Sequence, residues 1–526
     1  MYLDTTGYNL RFFPVTVHGI QFLSIYLYAC PHGWARPVMR RFILIAFAAA
    51  GLFVSGCVRP SVSHSFGDLP FEMPSWRLPS IPSRSVTLTD FGAVGDGVAD
   101  NTAAFARAID RLTEQGGGHL VVPAGIWKTG PIGLKSHIDL HLERGAVIVF
   151  DSNQDLYPII DTNFEGLDVR RCLSPIHATG EHDISITGEG IIDGNGDAWR
   201  EVKKRKVSSD LWKKILAKGG VLSEKEDVWY PDEGYYKARL TAGSLNYPDP
   251  SLDEQEIKTF LRPVMVSLRE CENILLEGCT FQNSPCWNLH PLYCKNLTIK
   301  NIMVRNPAWS TNGDGIDIDA CENVWLTGSS FDVGDDAICI KSGKDEDGRR
   351  HAKVCRNLLI EDCTVYHGHG GFVIGSEMSG GVENILVRNC SFIGTDVGLR
   401  FKSARGRGGL VRNIWCDRIY MKDIVDYGVV FNLYYAGVAA SELTKDGQPD
   451  IQPVDETTPE FRDFVFSNIV CQGADQAIFI NGIPELPVRG IRFAHSVFTS
   501  DKEVEVYNAE DVTFEDVTVN GKPVRQ

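Results

Sequence analysis

Four short stretches carry residues able to do chemistry: N-G-D-G-I-D at 312–317, G-D-D at 334–336, G-H-G at 368–370 and R-F-K at 400–402. Asp314, Asp335 and Asp336 supply three carboxylates, His369 an imidazole, and Arg400 and Lys402 two cations. Neighbouring carboxylates do not both ionise easily, so one pKa rises and a proton donor exists at mildly acid pH. A second carboxylate across a gap of roughly 6.5–9.5 Å activates water, the layout of an inverting glycosidase. Glycines flanking His369 let the backbone approach its neighbour closely. Arg400 and Lys402 are i and i+2 on one strand and share a face, suited to holding a carboxylate; Arg405 and Arg407 are placed to add to it, and Asp396 is given a weak binding role. Gly334 is expected to supply the bend that turns both Asp335 and Asp336 outward.

These stretches are separated by segments that repeat. Asn273, Asn296, Asn323, Asn357, Asn384 and Asn413 each precede an apolar, alternating run, at steps of 23, 27, 34, 27 and 29 residues. Such self-similarity, with short period-2 strands, predicts stacked β-coils sharing one core. Indexed from each Asn, Asp335 and His369 both fall at +12, in one column of adjacent coils, and Asp396 follows one coil beyond. Asp314, Arg400 and Lys402 fall at +18, +16 and +18, on neighbouring walls. Cys271, Cys294, Cys321 and Cys355 each precede a key Asn by two, and Cys279, Cys363 and Cys390 follow one by six. They read as columns of buried thiols, with a vertical disulfide between neighbours as the alternative.

Before the coils, Val86–Asp90 reads as a strand, and Asp100 as the cap of a helix from Thr102 to Gln115 with Ala103, Phe105, Ala106, Ile109 and Leu112 on its apolar side. Residues 199–262, with K-K-R-K at 203–206, a helix-like run at 212–218 and several aromatics, read as an insertion between coils, either a contributor to substrate selection or a solvated lid. Residues 436–460 read as a polar loop.

The 526 residues carry a net charge of −16, which argues against nucleic acid or an anionic membrane surface as partner. Met39-Arg40-Arg41, thirteen residues without a polar side chain from Phe42 to Val54, and then Ser55-Gly56-Cys57 form an export signal too short to span a membrane. V-S-G-C resembles a bacterial lipobox, which implies a lipidated Cys57. Residues 1–38 then read as an over-extended start, 39–57 as the signal, 58–84 as a Pro/Ser-rich tether and 85–526 as the catalytic body. The expected place is the bacterial cell envelope, periplasmic or at the surface, with the membrane touched only through lipid.

The four motifs, in order, resemble glycoside hydrolase family 28, the polygalacturonases, over roughly Val86 to Asn520. Gly313 and Phe401 depart from the family's Thr and Ile. The resemblance implies an all-β, right-handed parallel β-helix with a short N-terminal capping helix, acting as an inverting hydrolase of α-1,4-galacturonosyl linkages in pectin, without metal or cofactor and as a monomer. It implies Asp335 as general acid, Asp314 and Asp336 as the pair activating water, His369 in support, and Arg400, Lys402, Tyr435 and Asn312 at the substrate. An extra residue after G-H-G, and the long insertion, resemble exo-acting bacterial members. Two other readings use the same residues: a Ca²⁺-dependent pectate lyase with Arg400 as base, and a non-catalytic polysaccharide-binding β-helix.

Overall fold

The computed structural model describes residues 10–17, 20–27, 69–74, 77–242, 248–435 and 451–525. Leu10–Val17 and Ile20–Leu27 pair as an antiparallel hairpin in a separate N-terminal unit. Residues 39–57, with Cys57, lie outside the described residues, as do residues 58–68 and 75–76 of the tether and residues 436–450. No helix among the described residues is long and apolar enough to cross a membrane.

The body is a right-handed parallel β-helix. One wall is an eleven-stranded parallel sheet running from Ile132–Gly133 to Lys502–Tyr507. Opposite it, long strands such as Glu322–Thr327, Cys355–Glu361 and Val382–Arg388 stack in register, and short strands such as Ser330–Asp332 and Thr364–Tyr366 form the third side. Inward side chains from all sides form one core, in which Phe401 lies on Phe431 at 4.5 Å and Phe466 on Phe493 at 4.6 Å.

The asparagines that mark the repeat also hold it. All six have φ between 56° and 60°, a left-handed backbone that a short polar side chain tolerates. From the second on, each amide donates to the one a coil earlier: Asn296 to Asn273 at 3.1 Å, Asn323 to Asn296 at 3.0 Å, Asn357 to Asn323 at 3.1 Å, Asn384 to Asn357 at 3.2 Å and Asn413 to Asn384 at 3.0 Å. The ladder fixes register, and register places the site. Cys271, Cys294, Cys321 and Cys355 stack beside it, and all twelve described cysteines are buried free thiols, so no vertical disulfide forms among them.

The first coil is covered by the helix Thr102–Glu114, which buries Ala104, Phe105, Ala108, Ile109 and Leu112 and leaves Ala103 and Ala106 exposed. Its N-cap is Asn101, while Asp100 accepts from Thr102 N at 2.9 Å. The expected strand at 86–90 is shorter: Ser85–Thr87, followed by a 3-10 turn at Leu88–Phe91. Ahead of it, Phe71 stacks on Trp415 at 5.9 Å, and Ser80 N donates to Asp183 Oδ1 at 2.7 Å. Asp183 and Trp415 are six coil steps apart, about 29 Å at strand spacing, close to the full reach of the nine residue steps between Phe71 and Ser80.

Two excursions rise from the coils. The first, which the repeat does not mark, is a hairpin of Ile159–Phe164 and Leu167–Cys172 with a two-residue turn at Glu165 (φ 51°) and Gly166 (φ 74°). Gly166 O accepts from Lys344 N at 2.9 Å, and a Cβ on Gly166 would lie 2.6 Å from that nitrogen. The second is the predicted insertion. It holds the helices Ser209–Leu216 and Glu233–Ala242 and a three-stranded antiparallel sheet centred on Val228–Tyr230.

Candidate active site

Four neighbouring strands of the eleven-stranded wall carry the site: Ile316–Asp319, Asp336–Lys341, Gly370–Ile374 and Val397–Lys402. Asp336 is in register with Gly370, so Asp335 and His369 are column neighbours, as the spacing predicts. His369 N donates to Asp335 O at 3.0 Å, an approach that Gly368 (φ 116°) permits. Gly334 is not a left-handed hinge; a Cβ there would lie 2.6 Å from Pro307 O, so it is needed for room rather than for a bend.

Asp314, Asp335 and Asp336 come together, each with a carboxylate oxygen within 4.8 Å of the other two. This is tighter than the wide gap expected between an acid and a base. By separation alone the cluster is nearer the spacing of a retaining pair, so for inversion an attacking water would have to lie against the cluster and not between separated carboxyls. Asp314 and Asp336 are buried and Asp335 is half-buried.

The environments of the three differ. Burial opposes ionisation of Asp336, but Lys402, Arg400 and Lys341 outweigh it and hold this carboxyl well below the usual carboxylate range. Lys402 Nζ donates to Asp336 Oδ2 at 2.7 Å, and Arg400 lies 3.4 Å from Oδ1. Asp314 goes the other way: burial, and then the charges of Asp317 and Asp335, push it well above that range. Its Oδ1 is buried without a hydrogen bond. Two carboxyls of one cluster are thus pushed in opposite directions, Asp314 toward its neutral form and Asp336 toward its ionised form.

Beneath the cluster lies a layer to which the sequence reading gave no role. Lys341 Nζ is 3.3 Å from both Asp317 and Glu377 and 4.5 Å from the centre of the Trp287 ring. Burial pushes Asp317 up to about 8 against the pull of Lys341. For Glu377, Lys341, Lys402 and Lys344 overcome burial and bring it down to about 2. Arg262, fully buried, donates to Thr311 O at 2.7 Å and Asn312 Oδ1 at 2.8 Å, and so holds the loop that presents Asp314.

Of the expected substrate groups, Asn312, Lys402 and Tyr435 line the cleft, with Lys402 Nζ 4.8 Å from the Tyr435 ring. The first partner of Arg400 and Lys402 is Asp336, so they polarise a carboxylate of the protein itself. Arg405 does not join them, because Glu485 holds it at 2.5 and 2.7 Å. Arg407 lines the cleft but is tied to Asp345 and to Ser376 O. The His369 imidazole lies 3.8 Å from Asp396. The cleft encloses about 540 Å³, and Glu165 of the hairpin and Glu201, Lys203, Val228, Tyr230 and Arg239 of the insertion wall it in.

Residues 249–481 match the profile of glycosyl hydrolases family 28. A probable polygalacturonase from Vitis vinifera is 31% identical over 422 residues, covering 78% of this chain and 74% of its own length. The chain belongs to glycosyl hydrolases family 28. An exo-poly-alpha-D-galacturonosidase from Dickeya chrysanthemi is 29% identical, over 76% of this family 28 chain and 64% of its own. The crystal structure of a hyperthermoactive exopolygalacturonase from Thermotoga maritima superposes with a TM-score of 0.70 at 32% identity, over 85% of this chain and 94% of that one. A family 28 exopolygalacturonase from Yersinia enterocolitica gives 0.61 at 25%, over 84% and 79%. The family makes the chain a glycosidase, and the three-carboxylate cluster is its candidate centre.

Proposed function

We propose that this glycosidase hydrolyses galacturonan from a chain end, with inversion. The observation that carries the reading is the split cluster: Asp336 held toward its ionised form by Lys402 and Arg400, beside Asp314, whose carboxyl burial pushes the other way. Asp335, the most solvent-facing of the three, protonates the glycosidic oxygen. Asp336, kept ionised, takes a proton from the attacking water, which Asp314 helps to hold. His369 fixes the backbone of Asp335. Lys402, Tyr435 and Asn312 meet the sugar.

Family membership and the names of the relatives support a pectic substrate. Exo action is supported by the hairpin and insertion, which wall the cleft instead of leaving an open groove. A calcium-dependent elimination is disfavoured by the cations already inside the cluster, since Lys402 and Lys341 would repel a divalent ion bound there. The Cys57 lipobox supports attachment to a bacterial envelope by lipid, with incorporation of labelled palmitate into wild type but not Cys57→Ser as its check.

The deciding experiment uses polygalacturonic acid with EDTA present. The expected result is new reducing ends without unsaturated-product absorbance, monomer or dimer alone from the outset, and the β-anomer first by NMR. Absorbance that EDTA abolishes would replace hydrolysis with elimination. A ladder of oligomers would replace exo with endo action, and an α-anomer would replace inversion with retention.

A further inference from the structure

The column that carries the asparagine ladder does not begin at Asn273. Ser185 is in register with Asp139, and His182 with Glu272, so the same column runs back through Asp183 to His137. Both keep the left-handed backbone of the ladder, at φ 53° and 62°. Aspartate and histidine tolerate that backbone better than most residues. This accounts for their types at 183 and 137, but not for the histidine at 182, whose backbone is not left-handed. The imidazoles of His137 and His182 meet edge to face, with ring centres 4.8 Å apart. Each of His137, His182 and Asp183 offers a ligand-type atom within 4.8 Å of one from the other two.

The N-terminal segment closes this cluster. His137 Nδ1 donates to Ser80 O at 3.0 Å, Ser80 N donates to Asp183 Oδ1 at 2.7 Å, and His182 Nδ1 donates to Asp183 Oδ2 at 2.8 Å. His137 Nδ1 lies 4.0 Å from the same Oδ2. Two imidazole nitrogens, a carboxylate oxygen and a carbonyl oxygen thus stand together. Zinc bonds of about 2.1 Å set the corners of a tetrahedron about 3.4 Å apart. The separations here, 2.8, 3.0 and 4.0 Å, bracket that spacing. The second oxygen of Asp183 is held by Ser80 N, the kind of outer contact that orients a ligating carboxylate. Asp183 is largely covered, and the two imidazoles are open enough to solvent for an ion to enter.

We propose that His137, His182 and Asp183, with the carbonyl of Ser80, bind a divalent transition ion of the zinc type, which fastens the N-terminal segment to the first coils. Two imidazoles beside a carboxylate suit zinc, whereas calcium and magnesium take oxygen donors. The ion takes the place of the two Nδ1 protons. Each ring then carries its proton on Nε2, so a neutral imidazole stays neutral and no other reactant is needed. The site is structural. It lies three coils before the coil of Asp335, at the ladder corner, and does not touch the carboxylate cluster.

The test uses the full chain without a histidine tag, stripped with EDTA and dialysed. Zinc chloride is the probe in titration calorimetry, and cobalt chloride in visible absorption. Wild type should bind one zinc ion at this site and give the spectrum of four-coordinate cobalt. His182→Gln, His137→Asn and Asp183→Asn should each raise the zinc Kd about tenfold or more. Asparagine keeps the left-handed backbone at 137 and 183, and melting temperatures without metal show that the variants fold. His119→Gln, on the same wall, should bind as wild type does. Trypsin reports on the segment through the exposed Arg77. With zinc at about ten times Kd, cleavage there should slow by up to about tenfold in wild type and not in His182→Gln. No zinc binding by wild type, or binding that all three variants keep, would overturn the site. Binding without protection at Arg77 would overturn the fastening. Neither readout uses a substrate, so the outcome is independent of the galacturonan reading.

Discussion

Asp317 offers a test of the buried layer in which the sign of the effect is as telling as its size. It is fully buried, 3.3 Å from Lys341 Nζ, with a carboxyl pushed up to about 8 by burial. In the unfolded chain an aspartate titrates near 3.9. Between those values the folded protein holds a proton that the unfolded chain has lost, so stability falls as pH rises. One proton gives a slope of at most about 1.4 kcal/mol per pH unit. The stability carried by the neutral carboxyl is complete below about pH 4 and is lost progressively up to about pH 8; from pH 5 to pH 7 the loss is about 3 kcal/mol. Asp314, also raised, acts with the same sign. Asp336 and Glu377 are lowered and act oppositely: their contribution is present above the unfolded carboxylate values and is lost as pH falls below them. The stability maximum is therefore expected at mildly acid pH. Asp317→Asn replaces the carboxyl with a neutral group of the same shape and should remove one proton from the linkage. Urea unfolding at pH 5, 6 and 7, with the exposed Asp110→Asn as control, should show the variant gaining on wild type by about 3 kcal/mol over that range. An unchanged pH slope, or a variant that loses ground as pH rises, would refute this account of the buried layer.

Asp336→Asn removes the ionised base; kcat on galacturonan should fall by about 10²–10⁴-fold with little change in KM, read from initial rates of reducing-end release. Asn323→Ala breaks two rungs of the ladder at a position 4% exposed with φ 60° and should cost about 2–4 kcal/mol in urea unfolding, with Asn323→Gly costing less because the backbone strain is relieved. The twelve buried thiols should resist Ellman's reagent in the native protein and all react in denaturant.

The parts of this molecule legible in its sequence are those that repeat. An asparagine in a left-handed turn, bonded to its counterpart a coil away, must recur once per coil, so residues indexed from Asn323 and Asn357 fall into columns that the register reproduces. That is why Asp335 and His369 were placed side by side. What escaped has no period. The hairpin at 159–172 occurs once, and only the dipeptide Glu165-Gly166 marks its turn. Asp317 lies inside a motif, but nothing in the pattern says that its side chain points to a buried lysine. Trp287, Lys341 and Glu377 meet through the third dimension alone. The division of labour between Asp314 and Asp336 was not readable either, because it depends on which carboxylate Lys402 reaches.

The N-terminal segment that lies from Trp415 back to Asp183 gives the body a mechanical polarity. Tension arriving from the N-terminal side of Phe71 enters at the late coils, although the chain's own first coil is at the other end. The load meets the Phe71 ring on Trp415 before it meets Ser80, and it reaches the first strand of the solenoid only after the segment has peeled away. An aromatic contact on the outer face is thus the first link that a pull from the N-terminal side would load, ahead of the hydrogen bond at Ser80 and of the first strand of the solenoid.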